Sequence, residues 1–197
     1  MESTKKLVRT GFAALIAIVC ALALTLSLTA CGSAQSEEDA VKKAVASELD
    51  QFKNVSEEAY NAFESAGGEQ IEAMGIDGKE FIDAWLDGFD YTIGDVAVEG
   101  DTATVKVNLT SKNLVGALMN IQSEATTYFQ ENGVSSQDEA YKAIGQLMMD
   151  DITNATPESM DVELTLEKDS KGNWAITSDG MSALMNAIVG DTAALGL

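Results

Sequence analysis

Few residue types in this chain of 197 residues can do chemistry, and most of them are carboxylates. The sequence has no histidine, and its two cysteines, Cys20 and Cys31, both lie near the N-terminus. Without imidazole, a Ser/His/Asp triad cannot form, and zinc, copper and haem sites of the usual His/Cys kind are excluded. The remaining possibilities are an oxygen-ligand metal such as calcium, or a pair of acids, and we expect no cofactor.

Three sets of acids could supply such a site. Asp83 and Asp87 share one face of a predicted helix and Asp90 follows it, but no calcium-loop pattern with alternating acids, glycine and a distal Glu surrounds them. Asp150-Asp151 and Glu57-Glu58 are adjacent pairs, whose side chains diverge by about 100° on a helix. We interpret all three sets as solvated acids and predict no catalytic or metal-binding residue.

The surroundings of Cys31 form a motif. Leu28-Thr29-Ala30-Cys31 ends an uncharged apolar run that begins at Gly11, and the basic residues Lys5, Lys6 and Arg9 precede that run. The pattern resembles the signal and lipobox of bacterial lipoproteins, which are cleaved before the cysteine. The resemblance implies that the Cys31 thiol carries a diacylglycerol group, whose two acyl chains suffice for stable anchoring.

An uncleaved transmembrane anchor is the alternative, because an uncharged run of about 18 residues can also span a bilayer. Both interpretations place residues 32–197 on the extracytoplasmic face of the cell membrane. The Thr and Ala before the cysteine, and the flexible composition of residues 32–36, favour cleavage. We therefore predict a lipoprotein signal peptide (1–30), a lipidated tether (31–36) and a single domain (37–197).

The charge of the predicted mature chain excludes several partners. Residues 1–30 contain three basic residues and one acid, so residues 31–197 retain 9 basic and 31 acidic residues, a formal net charge of −22. Such a surface disfavours nucleic acid, whose phosphates require Lys and Arg, and it disfavours adsorption to anionic headgroups. We expect no nucleic acid partner, and membrane contact only through the lipid on Cys31.

Two hydrophobic periods predict the fold class. Apolar residues spaced three or four apart predict helices at 37–53, from Ser56 to Gly67-Gly68, around 71–76, from the cap Asp77 to Leu86, at 114–132, from the cap Ser136 to 152, and after a cap at Ser178 or Asp179. Strict alternation predicts two hairpins, formed by strands at 91–98 and 103–109 and by strands at 162–166 and 174–176. Hairpins separated by helices indicate an α+β fold, a curved four-stranded antiparallel sheet packed by helices, with a helical pair inserted between the hairpins.

The segments from Phe89 to Val107 and from Lys168 to Ile176 resemble uncharacterised Gram-positive cell-surface lipoproteins that have a cystatin-like or nuclear-transport-factor-2-like cone fold. The resemblance covers most of residues 37–190, and in it the helical insertion corresponds to residues 112–154. Its motifs are turns and strands, so the resemblance implies a fold and transfers no catalytic residue.

Other candidate residues have structural alternatives. Seven methionines could line an adaptable apolar pocket, although core filling is the simpler interpretation: Met74, Met119, Met148, Met149, Met160, Met181 and Met185. Trp85 and Trp174 could be ligand platforms or core anchors. The Asn-X-Ser/Thr sequons at Asn54, Asn108 and Asn154 are interpreted as chance matches or capping residues in a bacterial lipoprotein.

These observations predict a membrane-anchored lipoprotein that is not an enzyme. We expect a binding or interaction module of the cell envelope, whose partner is an envelope protein or a small apolar ligand. The alternative is a hydrolase that acts on cell-wall material through two carboxylates. An open pocket on the concave face of the sheet would favour small-ligand binding, and a filled one would favour a protein-interaction role.

Overall fold

The computed structural model describes residues 34–191, so the predicted signal and Cys31 lie outside the described residues. The fold is α+β, as predicted, with an open four-stranded antiparallel sheet packed by helices. The helices are α1 (Ala34–Lys53), α2 (Glu57–Phe63), α3 (Glu69–Ala73), α4 (Gly78–Leu86), α5 (Leu114–Met119), α6 (Ile121–Asn132), α7 (Gln137–Asn154) and α8 (Ser178–Val189). The strands are β1 (Asp90–Glu99), β2 (Thr102–Ser111), β3 (Glu158–Lys168) and β4 (Trp174–Ile176).

The sheet has the order β1-β2-β3-β4, so each strand pairs with its neighbour in sequence. The register places the apolar residues of neighbouring strands side by side; Val105, for example, pairs with Val96 on β1 and with Leu164 on β3. Because side chains alternate along a strand, this register collects the apolar residues on one face and the polar residues on the other.

Helices α1 and α8 cover the apolar face. Helix α1 packs against β1, β2 and β4, and α8 packs against β2 and β3. Helix α7 packs against α3, α4, α5 and α6 beyond the sheet, and one continuous hydrophobic cluster joins these helices to the sheet. The apolar face of the sheet is therefore covered by helices.

Several predicted helix starts are confirmed in detail. The Asp77 carboxylate accepts hydrogen bonds from the backbone N–H groups of Lys79 and Glu80 at 2.9 and 3.0 Å. The Ser136 hydroxyl accepts one from the N–H of Glu139 at 3.2 Å. Such caps satisfy the free N–H groups of a first helical turn, which explains why α4 and α7 begin at these points. Helix α1 begins at Ala34, so the last three residues of the predicted tether are helical.

Three local predictions were wrong. Gly67-Gly68 does not stop the helix, because Gly68 takes a right-handed helical conformation and a π-helical turn (Glu64–Gly68) runs directly into α3. The helix predicted at 114–132 is broken at Asn120, and the break allows both Leu118 and Ile121 to enter the core. The cap of α8 is Thr177, whose hydroxyl accepts from the N–H of Gly180 at 3.1 Å.

Candidate functional site

The face of the sheet opposite α1 and α8 is polar and open. Its side chains alternate with the buried apolar residues of β1, β2 and β3, and most of them are exposed. Several form hydrogen bonds across strands: Asn108 donates to Asp161 at 2.7 Å, and the hydroxyls of Thr110 and Ser159 lie 2.8 Å apart. These bonds align neighbouring polar side chains in rows that cross the strands.

A β-bulge in β1 interrupts the row that contains Lys106. Ile93 pairs with Val107 and Val96 pairs with Val105, so Gly94 and Asp95 together oppose the single residue Lys106. Both bulge residues are exposed, whereas Ile93 and Val96 on either side are half-buried. Gly94 and Asp95 are therefore both exposed at the bulge, while Ile93 and Val96 keep facing the core.

A groove of about 480 Å³ lies over this bulge and the middle of the sheet. Its polar lining comes from three strands and consists of Thr92, Asp95, Lys106, Asn108, Asp161 and Glu163. Lys106 and Glu163 are opposite each other in the register of β2 and β3. Lys106 nonetheless makes no ion pair with any residue that the structure describes. The groove therefore offers an ammonium group and carboxylates for contacts with a ligand.

The acids singled out from the sequence do not form a common site. Asp83 accepts hydrogen bonds from the Tyr60 hydroxyl at 2.6 Å and from Lys79 at 3.1 Å, and these bonds lower its pKa, the Tyr60 bond most. Asp90 pairs with Lys53 at 2.6 Å, and this bond is the main cause of its lowered pKa. The three carboxylates thus have separate partners, since Asp87 lies 3.6 Å from the ammonium group of Lys112.

Two other acids do face each other. Glu124 on α6 and Asp151 on α7 interact electrostatically, and the pKa of each carboxyl group is raised, first by desolvation. The negative charge of Asp151 raises the pKa of Glu124 further, and that of Asp150 raises the pKa of Asp151. While both carboxyl groups are ionised, the buried oxygen Asp151 Oδ2 has no hydrogen-bond donor. A proton held between the two carboxyl groups would supply that donor.

Glu57 and Glu58 are exposed in the first turn of α2.

Trp174 and Trp85 are both core residues, and Trp174 also has a polar partner. The Trp174 Nε1 group donates to Glu37 Oε2 at 2.9 Å, and Lys168 donates to Glu37 Oε1 at 3.1 Å. Lys168 Nζ lies 4.9 Å from the centre of the Trp174 ring. The hydrogen bonds from Trp174 and Lys168 lower the pKa of Glu37. We call these two bonds the Glu37 clamp, and they fix the start of α1 to β3 and β4. Trp85 is 5% exposed in the core.

The methionines divide between core and surface. Met148 is buried, Met119 is 56% exposed at the end of α5, and the other five are half-buried around the hydrophobic cluster. None of them lines the open-face groove. The three sequon asparagines are exposed and donate hydrogen bonds within the domain. Asn54, just after α1, and Asn154, at the end of α7, bond to backbone carbonyl oxygens four residues earlier.

One feature of the β1 sequence indicates the bulge, and the strand prediction did not use it. Apolar residues in β1 are two apart except between Ile93 and Val96, which are three apart. A single change of spacing within an alternating strand is typical of a bulge.

Within residues 34–191, no three His, Cys, Asp or Glu side chains come together as a metal site, and no helix is both long and apolar enough to cross a bilayer.

Comparison with known proteins identifies the family. The solved structure of ycdA from Bacillus subtilis, described as a "putative lipoprotein", is 18% identical and aligns with a TM-score of 0.49. That alignment covers 76% of this chain and 56% of the length of ycdA. No curated protein matches the chain. A family model described as "Domain of unknown function (DUF5105)" matches residues 35–189. The chain therefore belongs to the DUF5105 family.

Proposed function

We propose that this protein is a lipid-anchored, non-enzymatic binding module on the extracytoplasmic face of the cell membrane. The motif around Cys31 supports the anchor, since it combines a basic start, an uncharged apolar run and a small-residue cleavage signature. The sheet and its two covering helices are consistent with a variant of the cystatin-like or nuclear-transport-factor-2-like cone. In this proposal Cys31 attaches the domain, and the domain binds a ligand or partner.

The observation that carries the binding role is the open polar face of the sheet. Helices cover one face, whereas the other keeps a groove with an unpaired lysine and several carboxylates. Surface charges that are free of ion pairs can contact a partner without first breaking an ion pair within the domain. The polar lining favours a polar ligand over the small apolar ligand expected from the sequence.

The carboxylate hydrolase has less support. Such an enzyme needs two carboxyl groups that reach one substrate bond. The carboxyl groups that face each other, Glu124 and Asp151, lie between α6 and α7, and Asp151 Oδ2 has no exposed surface. This position favours a structural acid pair that joins two helices over a catalytic pair.

Two experiments test the proposal. For the anchor, Cys31→Ala should abolish incorporation of a radiolabelled fatty acid, whereas Cys20→Ala in the signal should not. Equal labelling of both variants would contradict lipid attachment at Cys31.

For the binding face, a photo-cross-linking residue at Thr104 should capture a discrete partner or ligand on intact cells. The same residue at Glu72, exposed on α3, is the control. Identical products from both positions, or none from Thr104, would exclude the open face as the binding surface.

A further inference from the structure

The groove on the open face contains alternating charges. Three strands contribute neighbouring charged side chains: Asp95 from the bulge of β1, Lys106 from β2 and Glu163 from β3. Side chains directly opposite each other on paired strands have Cβ atoms about 5 Å apart. The row therefore presents a carboxylate, an ammonium group and a carboxylate in succession.

None of these three groups forms an ion pair in the described part of the chain. Some charges elsewhere in the described residues are paired, as in Lys53 with Asp90 and Lys168 with Glu37. In the next row the Asp161 carboxylate already accepts a hydrogen bond from Asn108. The charged groups of the groove that lack such a partner therefore lie in the row of Lys106. Its polar groups are exposed and can exchange water for ligand.

The order of charges restricts the chemistry of the ligand. A simple anion would meet Lys106 but would also meet the carboxylates on both sides of it, in a domain that is already strongly acidic. A simple cation would meet Lys106 in the centre of the row. A molecule with both an ammonium group and a carboxylate can pair its carboxylate with Lys106 and its ammonium group with Glu163 or Asp95.

We propose that the open-face groove binds a small zwitterion of the α-amino acid type. The ligand carboxylate accepts hydrogen bonds from Lys106, and its ammonium group donates to Glu163 and Asp95. A volume of about 480 Å³ accommodates such a molecule with its side chain. This inference rests on the proposed function, because it takes the open face as the binding surface.

The bulge supports this assignment because the fold does not need it. If Gly94 were absent, Asp95 would oppose Lys106 directly, and Ile93 and Val96 would keep their present partners Val107 and Val105. A β1 strand that is one residue shorter could therefore pair regularly with β2 and keep the same apolar residues facing the core. The extra residue instead changes the local shape of the open face beside Lys106.

The test is ligand-observed nuclear magnetic resonance on the full chain purified in detergent, with L-alanine as the probe. Saturation transfer from the protein to L-alanine is expected. Lys106→Met and Glu163→Gln should each weaken binding about tenfold, as expected for loss of a charge-assisted hydrogen bond. Lys142→Met and Glu131→Gln make the same charge changes at exposed positions on α7 and α6 and should leave binding unchanged. Deletion of Gly94 should preserve the circular dichroism spectrum and weaken binding.

Three results would overturn the inference. The first is no transfer to L-alanine in the unaltered chain, and the second is equal affinity in Lys106→Met and the unaltered chain. The third is binding of methylammonium or acetate alone as tightly as L-alanine, which would indicate a simple ion site. A partner captured through Thr104 on cells, together with absent L-alanine binding, would retain the proposed function and reject the zwitterion.

Discussion

The ammonium group of Lys112 donates a hydrogen bond of 2.8 Å to the carbonyl oxygen of Ala84, and this contact joins the end of β2 to the last turn of α4. The same nitrogen lies 3.4 Å from the carbonyl oxygen of Thr153 at the end of α7. The last carbonyls of a helix lack intrahelical donors and carry partial negative charge. One lysine that is 3% exposed therefore caps two helices, and Asp87 balances its charge.

Replacing Lys112 should destabilise the domain strongly. Lys112→Met keeps much of the side-chain volume but leaves two carbonyl groups at buried helix ends without a donor, so we expect a loss of about 3 kcal/mol. Urea denaturation measures this change. Lys142→Met, at an exposed position on α7, is the control and should shift stability by less than about 0.5 kcal/mol. Equal unfolding midpoints for the two variants would contradict the capping role.

The Glu37 clamp should stabilise the fold at neutral pH and lose its effect in acid. Hydrogen bonds from Trp174 and Lys168 lower the pKa of Glu37, so its contribution is present above the ordinary carboxyl pKa and is lost as the pH falls through the lowered value. Glu37→Gln should therefore be less stable than the unaltered chain at neutral pH, with a difference that shrinks in acid. Denaturation followed by tryptophan fluorescence measures it, and Glu38→Gln is the matched control at an exposed position. A difference independent of pH would count against the clamp.

The Glu124–Asp151 pair should have the opposite dependence on pH. Both pKa values are raised, so the contribution of the pair is complete below the ordinary carboxyl pKa and is lost as the pH rises through the raised values. Glu124→Gln supplies an amide donor to Asp151 at every pH. This variant should be more stable at neutral pH and should have a flatter stability profile between mildly acidic and neutral pH. Glu131→Gln, exposed on the same helix, should retain the original profile.

Helix α7 approaches α3 closely at Gly145, and a larger residue should not fit there. A Cβ atom on Gly145 would collide with the backbone carbonyl oxygen of Met74, which cannot move as a flexible side chain can. We expect Gly145→Ala to cost about 3 kcal/mol because α7 must shift away from α3. The thermal unfolding midpoint measures this cost. Gln146→Ala, on the exposed side of α7, should have little effect, and an equal tolerance of both changes would refute the close approach.

The parts of the fold that depend on neighbouring residues could be predicted from the sequence. Alternation identified the hairpins because each strand buries one face, and the caps Asp77 and Ser136 were identified because their partners lie two or three residues away. The lipid attachment at Cys31 stays a prediction, since that residue lies outside the described residues.

The features that sequence reasoning missed depend on distant contacts. Lys112 follows a strand like any solvated lysine, and its acceptors Ala84 and Thr153 lie 28 and 41 residues away. The break at Asn120 similarly depends on which residues of α5 and α6 the core can accept. The groove has a local signal in the spacing of Ile93 and Val96, but its lining combines side chains from three strands and appears only when they pair.

The bond between Glu37 and Trp174 also determines how the domain responds to mechanical load. A pull on the chain ahead of α1 meets Glu37 in the first turn, and Lys168 passes the tension to β3, a strand paired on both sides. The pull is shared by several strands before α1 can separate from the sheet. We therefore expect a force applied at the N-terminal end of the domain to load the Glu37 clamp before it separates α1 from the sheet.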